Sequence, residues 1–259
     1  LEGLDAANLS AVPQVFTVTV TDNQAPDITC AAPVTLIASP GLCAATTVLT
    51  APAISDNCST TGNALNFDGT SDRVQLNTGT TLTGPFTIEA WVKPTIKSTF
   101  STILGNKIGG AGSSGFVFAI NNFQQSDAKL VLETKSKSVS SSSGVITWGA
   151  WQHVSVTYDG SIVRMYLNAT QIPLTDSSAI NLVSSGNPLV IGDFYQFVLG
   201  GKFLGTMDEL RIWNVARTQA EIAGNMNNEL NAQPGLLAAY HFNQGVAGDN
   251  NAGITTLLD

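Results

Sequence analysis

From Asn63 onward the sequence is a succession of short segments in which apolar and polar residues alternate. Turns rich in Gly, Ser and Asn separate these segments. Alternation with a period of two is typical of β-strands that bury one face. Nearly ten such segments, interrupted by one helical pattern, predict an all-β fold, an antiparallel jelly-roll sandwich of two sheets. The segments are ALNF, RVQL, FTIEAWVKP, STILGN, GFVFAINN, AKLVLET, PLVIGD, FLGTMDELRIWN and LLAAYHFN, with a hairpin at residues 151–168.

The hairpin WQHVSVTYDGSIVRMYLN is predicted from its central Asp159-Gly160 pair, which favours a type I′ turn between two half-buried strands. His153 falls on the face opposite to Val154, and no Asp, Glu or Cys lies beside it in the sequence. His241 is the other histidine of the chain, and we expect neither imidazole to have an acidic companion. A catalytic imidazole needs a partner that orients or activates it, so we expect His153 to be structural or to face solvent.

The helical segment ARTQAEIAGNMNNEL has the pattern of a capping box, with Thr218 as N-cap and Glu221 three residues later. Ile222, Met226 and Leu230 recur every four residues and would form one apolar stripe. We therefore expect a helix that packs on the sandwich and has no binding role.

Charge and cysteine are distributed unevenly along the chain. Residues 1–62 contain five acidic residues, no Lys or Arg and all three cysteines, whereas residues 63–259 contain fourteen acidic and eleven basic residues. This contrast predicts two units, a small β module over 1–62 and a larger domain over 63–259. The formal net charge of −8 argues against a nucleic-acid partner. No run of about 18 apolar residues is present, so we expect no membrane span in this segment.

Only 12% of the residues are charged and Thr, Ser, Gly and Val are prominent, which suits a β-rich extracellular protein. The chain starts at Leu1 without the pattern of a secretion signal. We therefore expect it to be a piece of a longer, exported protein.

The first unit contains the strand patterns QVFTVTVTD, PVTLIA and ATTVLTAP. Its segments VTVTDNQAPDITC and GLCAATTVLTAPAISDNCS resemble the hyalin-repeat family over about residues 12–60. The resemblance implies a partial immunoglobulin-like module, because the later strands and a closing cysteine segment of the family are missing.

Cys30, Cys43 and Cys58 allow three single pairings. We expect a disulfide between Cys30 and Cys43, since both lie near predicted strand ends in a module with a thin core. A bridge over a loop of that length would stabilise the module by roughly 3 kcal/mol. Three reduced thiols are the alternative, and the spacing does not favour zinc.

In the larger unit, five segments resemble, in order and spacing, the laminin-G-like and pentraxin-like jelly rolls of the concanavalin A-like group. They are ALNFDGTSDRVQL, FTIEAWVKP, WQHVSVTYDGSIVRMYLN, FLGTMDELRIWNVARTQAEI and GLLAAYHFNQG. The resemblance covers residues 63–245 and implies the fold more strongly than the function. Together with the hyalin-like module it implies a large secreted surface adhesin of the Bacteroidota type.

Some relatives in that group hydrolyse β-glucans with two carboxylates roughly 5 Å apart. Such enzymes place acids at alternate positions of one strand. Here Glu89 and Glu133 stand alone, and Asp208 and Glu209 are adjacent, so strand alternation predicts that they face opposite sides. We therefore do not expect an enzyme.

A structural calcium ion is a separate hypothesis. The FDGTSD segment presents Asp68 and Asp72 around Gly69 in a turn, and hard cations prefer several oxygen ligands. The family resemblance implies Asp208 as a third ligand. The alternative is that these carboxylates bind backbone amides of their own turns.

Carbohydrate recognition needs aromatic and amide side chains in loops, and the candidates are Asn122, Trp148, Asp193 and Tyr195. The partners would be cell-surface glycans or another surface protein. The alternative function is a purely structural spacer of a surface fibre, which would form a homo-oligomer or filament through an interface above roughly 1,000 Å². A less favoured alternative is an accessory domain of a glycan-degrading enzyme. The apolar FYQF segment at residues 194–197 is expected to be buried or to contact another chain.

Overall fold

A computed structural model describes residues 27–29, 53–55, 63–76, 82–109, 112–194, 201–244 and 256. The described part is nearly all β, with one short helix, and the predicted fold class is confirmed. The strands are β1 (Asp27–Thr29), β2 (Ala53–Ser55), β3 (Leu65–Asp68), β4 (Val74–Gln75), β5 (Phe86–Pro94), β6 (Ser101–Gly105), β7 (Phe116–Ile120), β8 (Leu130–Thr134), β9 (Ser138–Ser140), β10 (Gln152–Tyr158), β11 (Val163–Leu167), β12 (Thr170–Ile172), β13 (Val190–Ile191), β14 (Leu204–Trp213) and β15 (Leu236–Tyr240). The helix is α1 (Gln219–Asn225).

Two antiparallel sheets form the sandwich. The larger sheet has seven strands in the order β12-β11-β10-β5-β14-β15, and β3 also pairs with β14. The smaller sheet has six strands in the order β4-β13-β6-β7-β8-β9. The strands β3 and β15 lie end to end along β14, and a bulge between Asp208 and Arg211 separates their two pairing regions.

Alternate side chains of both sheets meet in one apolar core. On β5 the core residues are Phe86, Ile88, Ala90 and Val92, all fully buried. They are opposed by residues of the smaller sheet such as Phe116, whose ring stacks on Phe86 at 6.2 Å. The period-two pattern read from the sequence therefore selects the inward face of these strands.

The outer face of the smaller sheet carries a second apolar cluster. Its members are Phe100, Val117, Ala119, Val131 and Phe194, each at most 5% exposed. Phe194 makes an edge-to-face contact with Phe100 at a centroid distance of 5.5 Å. A Cβ on Gly201 would lie 2.1 Å from the Phe194 ring, so glycine is needed for this close approach. The expected burial of the FYQF segment therefore holds for Phe194, and residues 195–197 lie outside the described part.

The hairpin between β10 and β11 has the predicted strand faces, with Val156 opposite Met165. Its turn is one residue further along than predicted. The amide of Asp159 donates to the carbonyl of Ile162, and among residues 159–162 only Gly160 has a positive φ, of 97°. The central pair is thus Gly160-Ser161, with glycine first, as in a type II′ turn. Asp159 instead accepts the amides of Ser161 and Ile162 with its carboxylate.

The helix begins as predicted but is shorter. Thr218 is the N-cap, and its hydroxyl and the Glu221 carboxylate satisfy each other's backbone amides in a capping box. Met226 is the C-cap, so Leu230 lies beyond the helix, and the expectation that it would extend the apolar stripe is wrong. Ile222 is 1% exposed and packs with Tyr166 and Ala169 on the outer face of the larger sheet.

In the first 62 residues the structure describes a separate two-stranded sheet, in which β1 and β2 pair antiparallel with Ile28 opposite Ile54. The three predicted strands of that unit and the expected Cys30–Cys43 disulfide lie outside the described residues. The hyalin-like module and the domain boundary at residue 62 therefore stay predictions.

Asn63 and Asn243, near the two ends of the segment that forms the described sandwich, lie next to each other. The backbone amide of Asn63 donates to the side-chain carbonyl of Asn243 at 3.0 Å, and the Asn63 side chain donates to the Asn243 backbone carbonyl at 3.5 Å. In the described part of the chain, no helix has the length and apolar character needed to cross a bilayer.

Candidate functional site

The two ends of the sandwich differ in the loops that they present. At one end, called here the Asn121 end, lie the turn after β3 and the loops that follow β5, β7 and β9. The side-chain amide of Asn121 ties two of these loops together by donating to the carbonyls of Lys97 at 2.8 Å and Thr99 at 3.1 Å. The opposite end, called the Gly160 end, carries the β10–β11 turn.

The most distinctive loop at the Asn121 end runs from Asn121 to Ala128. Three of its residues have left-handed backbone conformations, Asn121 (φ 67°), Gln124 (φ 55°) and Ala128 (φ 52°). Residues other than Gly, Asn and Asp seldom adopt left-handed conformations. Contacts with the surrounding protein must therefore stabilise these conformations. The loop is therefore pre-shaped by the fold.

The contacts that hold the loop come from its two ends. The Asn121 side chain accepts the amide of Ala128 at 2.9 Å. The Asp127 carboxylate accepts the backbone amide of Asn122 at 3.1 Å and its side-chain amide at 2.8 Å. Between these ends, the residues from Phe123 to Ser126 are exposed.

Apolar side chains border this loop. Phe123 is 39% exposed, and Ile96 in the loop after β5 is 62% exposed. Trp148 is half-buried and packs against the core, and the amide of the following Gly149 donates to Pro94 at the end of β5. An exposed aromatic side chain beside carboxamides is a surface suited to sugar rings.

Three of the predicted ligand-binding residues, Asn122, Trp148 and Asp193, lie at the Asn121 end. The side chains of Asn122 and Asp193 are bound to other residues of the chain. The Asn122 amide is bound to Asp127. Asp193 is 2% exposed and its carboxylate accepts the Lys202 ammonium at 2.7 Å. Burial raises the pKa of Asp193 against the effect of that lysine. Tyr195 lies outside the described residues.

The turn with Asp68 and Asp72 is held by its own hydrogen bonds. Asp68 accepts the amides of Thr70 and Ser71, both at 2.7 Å, and Asp72 accepts the amide of Asp68 at 2.9 Å. Although burial opposes it, the hydrogen bonds from Thr70, Ser71 and Asp72 lower the pKa of Asp68. The turn-capping role considered from the sequence is therefore present.

A cation of the chain itself reaches this turn. The Lys97 ammonium donates to the carbonyl of Gly69 at 3.2 Å and to the carbonyl of Lys202. Burial lowers the pKa of Lys97.

Asp208 does not approach the Asp68 turn. Asp68 is paired with Leu204, and Asp208 lies four residues further along β14, roughly 13 Å away at about 3.3 Å per residue. Among the described residues, no three His, Cys, Asp or Glu side chains are grouped so that they could hold a metal ion. Burial, reinforced by the charge of Glu209, raises the pKa of Asp208 to about 8.

The adjacent acids Asp208 and Glu209 do not face opposite sides as predicted. The bulge places two residues between the core positions Met207 and Leu210. Asp208 is opposite the outward-facing Trp91, and Glu209 binds the outward-facing Arg211. Strand alternation fails at this point because the bulge inserts an extra residue.

A buried polar layer lies between the outer face of the larger sheet and α1. Arg211 is fully buried and lies 3.7 Å from the Glu89 carboxylate. The indole of Trp213 donates to Glu89 at 2.9 Å. Arg211 also donates to the carbonyls of Asn225 and Asn228. The layer therefore joins the sheet to the C-terminal end of the helix.

The expectation that the histidines lack acidic neighbours is wrong for both. His153 Nε2 lies 3.5 Å from Glu89 on the adjacent strand, and His241 Nδ1 lies 2.6 Å from Glu209. Burial, and then the charge of Arg211, lowers the pKa of His153 to about 3, so its ring is neutral. The hydrogen bond to Glu209 raises the pKa of His241. His153 is 1% exposed beneath α1, which agrees with the expected structural role.

The comparison with protein families is decisive for the fold. Residues 68–223, more than half of the chain, match the family Laminin_G_3, described as the concanavalin A-like lectin/glucanases superfamily. The chain belongs to this superfamily. The match covers the Asp68 turn, the Asn121–Ala128 loop and most of α1.

The chain is similar to parts of several other proteins. Mouse (Mus musculus) pappalysin-1 is 34% identical over 83 residues, which are 30% of this chain and 5% of that protein. A candidate carbohydrate-binding protein from Bacteroides ovatus is 24% identical, with a TM-score of 0.57 over 70% of this chain and 51% of that one. The CBM40 domain of a Ruminococcus gnavus sialidase, solved with α2,3 sialyllactose, is 14% identical, with a TM-score of 0.51 over 63% and 95% of the two chains. At these identities the structural likeness establishes the fold alone.

The sequence did not indicate the residues that the superfamily domain exposes at the Asn121 end. Phe123, Gln124, Gln125 and Ile96 were not among the candidates. The available signal was the FQQS run between two strand patterns, since four such residues in a loop are exposed unless another element covers them. The left-handed conformations carry no comparable signal in the sequence.

Proposed function

We propose that the domain from residue 63 onward is an extracellular, non-catalytic carbohydrate-recognition module of a large surface protein. The observation that carries the proposal is membership in a superfamily named for lectins and glucanases. The loops at the Asn121 end support it, because they present an exposed aromatic residue and carboxamides on a pre-shaped backbone.

The acidic residues favour binding over hydrolysis. Hydrolysis of a glycoside needs two carboxyl groups on either side of the bond that is cleaved. Glu89 is 1% exposed and contacts Arg211 and Trp213. Glu209 is bound to Arg211 and His241. Glu133 forms an ion pair with the fully buried Lys107 at 2.7 Å. These carboxylates are engaged in structural contacts.

A glycan array probed with the purified chain at high density tests the proposal. We expect binding that the free glycan competes away, and no release of reducing sugar from the bound oligosaccharide. Absence of binding to any glycan would contradict carbohydrate recognition. Hydrolysis of a bound glycan would contradict the non-catalytic role.

A structural spacer that self-associates is the second candidate. Four large apolar residues are exposed in loops or strand ends at the Gly160 end, namely Ile108 (56%), Ile162 (40%), Val215 (40%) and Leu237 (39%). If they form an interface between copies, sedimentation velocity will give a mass that rises with concentration. The variant Val215→Asp would then return the protein to a monomer, whereas glycan binding at the other end would be unchanged.

Calcium at the Asp68–Asp72 turn stays a prediction, with Asp68 and Asp72 as its carboxylate ligands. A binding ion would raise the melting temperature between chelator and millimolar calcium, and Asp72→Asn would remove that rise. An equal melting temperature in both solutions would leave Lys97 as the cation of this turn.

A further inference from the structure

The exposed segment Phe123–Ser126 is the place where the described part of the Asn121 end offers the most complete set of ligand-binding groups. It combines Phe123, which is 39% exposed and packs against Phe100 at a ring-centroid distance of 6.2 Å, with the exposed side chains of Gln124 and Gln125. A carboxamide has two donors and an acceptor, which match the hydroxyls of a sugar, since each hydroxyl both donates and accepts.

We propose that Phe123, Gln124 and Gln125 form the primary contact for a neutral saccharide. This inference rests on the proposed carbohydrate-recognition function and adds the loop and the class of sugar. Phe123 would stack on one face of the sugar ring, and the two glutamines would bind hydroxyls at its edge.

The shape of the loop favours binding without further ordering. Its backbone is fixed by Asn121 and Asp127 before any ligand arrives. The neighbouring loop adds a contact, because the amide of Gly144 donates to the carbonyl of Asp127 at 2.9 Å. A rigid loop loses little conformational entropy on binding, so a few contacts suffice for measurable affinity.

The charges around the loop favour a neutral sugar over an acidic one. A sialic acid or a sulfated sugar needs a cation for its anionic group. The Lys129 ammonium lies 3.4 Å from the Asp127 carboxylate, and the Lys97 ammonium is bound to two carbonyls. Both lysines adjacent to this loop are therefore engaged, and the exposed groups of the segment are uncharged.

The test compares immobilised neutral glycans with sialylated and sulfated ones, followed by calorimetric titration of the best free oligosaccharide. We expect neutral glycans to bind, Phe123→Ala to weaken binding about tenfold or more, and Gln125→Ala to weaken it several-fold. Gln124→Asn shortens the side chain but tolerates the left-handed backbone, and should also weaken binding.

Matched controls come from exposed residues far from the loop. Ile108→Ala removes a comparable exposed apolar side chain at the Gly160 end, and Gln171→Ala removes an exposed carboxamide on β12. Neither should change the affinity. If Phe123→Ala lowers the melting temperature, Gln125→Ala and Phe123→Leu carry the test, since both retain more of the loop.

The outcomes distinguish a failure of the proposed carbohydrate-recognition function from a failure of the inference about the Phe123 loop. If the wild-type chain binds no glycan, the proposed function fails. If it binds a glycan with the same affinity in the Phe123 and glutamine variants, or if it binds only acidic glycans, this inference is overturned while the proposed function stands. Self-association that Phe123→Ala abolishes would also overturn it and would identify a second copy as the occupant.

Discussion

The two outer faces of the sandwich are both covered, but by opposite chemistry. On the smaller sheet, Phe194 and Phe100 close an apolar cluster. On the larger sheet, α1 closes a polar layer around Glu89 and Arg211. An apolar cover depends on shape and area, whereas a polar cover depends on each charge finding its partner.

The difference has a consequence for robustness. An apolar cluster tolerates a change of one side chain at the cost of a cavity. A buried charged layer leaves an unpaired charge when one member is removed, and this destabilises the fold by more than the pair itself contributes. The polar face should therefore be the more fragile of the two to single substitutions, and its titratable groups make it sensitive to pH.

The largest effect is expected for Arg211→Ala. This substitution removes the ion pair of Glu89 with Arg211 and the hydrogen bonds to the carbonyls of Asn225, the last residue of α1, and of Asn228. We expect a loss of about 3–5 kcal/mol in the free energy of unfolding, measured by urea denaturation. Arg164→Ala is the control, because its ion pair with Asp159 is exposed and should contribute less than about 1 kcal/mol. Equal losses in the two variants would remove the contrast between the faces.

The apolar face is tested by Phe194→Ala, for which we expect a loss of about 3 kcal/mol. Phe194 is 1% exposed and packs against Phe100 and Gly201. Phe123→Ala, at a ring that is 39% exposed, should lose much less. A loss for Phe194→Ala that exceeds that of Arg211→Ala would reverse the proposed order.

The pH dependence of the polar face is the next effect. His153 has a pKa of about 3 in the folded chain, against an unfolded value of 6.5. Below pH 6.5, His153 therefore binds a proton in the unfolded chain but not in the folded chain. The free energy of unfolding consequently falls as the pH drops below 6.5. Between pH 6.5 and 5 this amounts to roughly 2 kcal/mol.

The contribution of His153 is measured as the difference between the wild-type chain and His153→Gln. Asp208, Glu89 and His241 act in the opposite direction, because their pKa values are raised and they favour the folded chain as the pH falls. Asp208 and His241 are common to both proteins and cancel in the difference, whereas the remaining pH dependence reports His153 together with its contact Glu89. A stability difference that stays constant from pH 7 to pH 5 would contradict a neutral, buried His153.

The smallest effect is expected at the start of the helix that covers the polar face. Thr218→Ala removes the N-cap hydroxyl and should lower the free energy of unfolding by about 1 kcal/mol. Thr218→Ser keeps the hydroxyl and should be close to wild type. Hydrogen exchange at the α1 amides would identify local fraying as the cause.

The strands were predictable because their signal is local. The segment FTIEAWVKP coincides with β5, since Phe86, Ile88, Ala90 and Val92 alternate along it and face the core. The polar layer was not predictable, because Glu89, His153 and Arg211 come from three strands distant in sequence. Glu89 stands alone in its segment, and strand pairing brings its partners His153 and Arg211 to it.

The loop was missed for a different reason. Gln124 and Ala128 have no local preference for a positive φ, so their conformations result from the contacts made by Asn121 and Asp127. The prediction that Asp208 and Glu209 face opposite sides failed because a bulge changes the side to which Glu209 points. In each case the determining contact joins residues that the sequence does not mark as neighbours.

The hydrogen bonds between Asn63 and Asn243 have a topological consequence. A domain whose first and last residues lie side by side is attached to the rest of its polypeptide at a single point. Such a domain adds almost nothing to the contour length of that polypeptide.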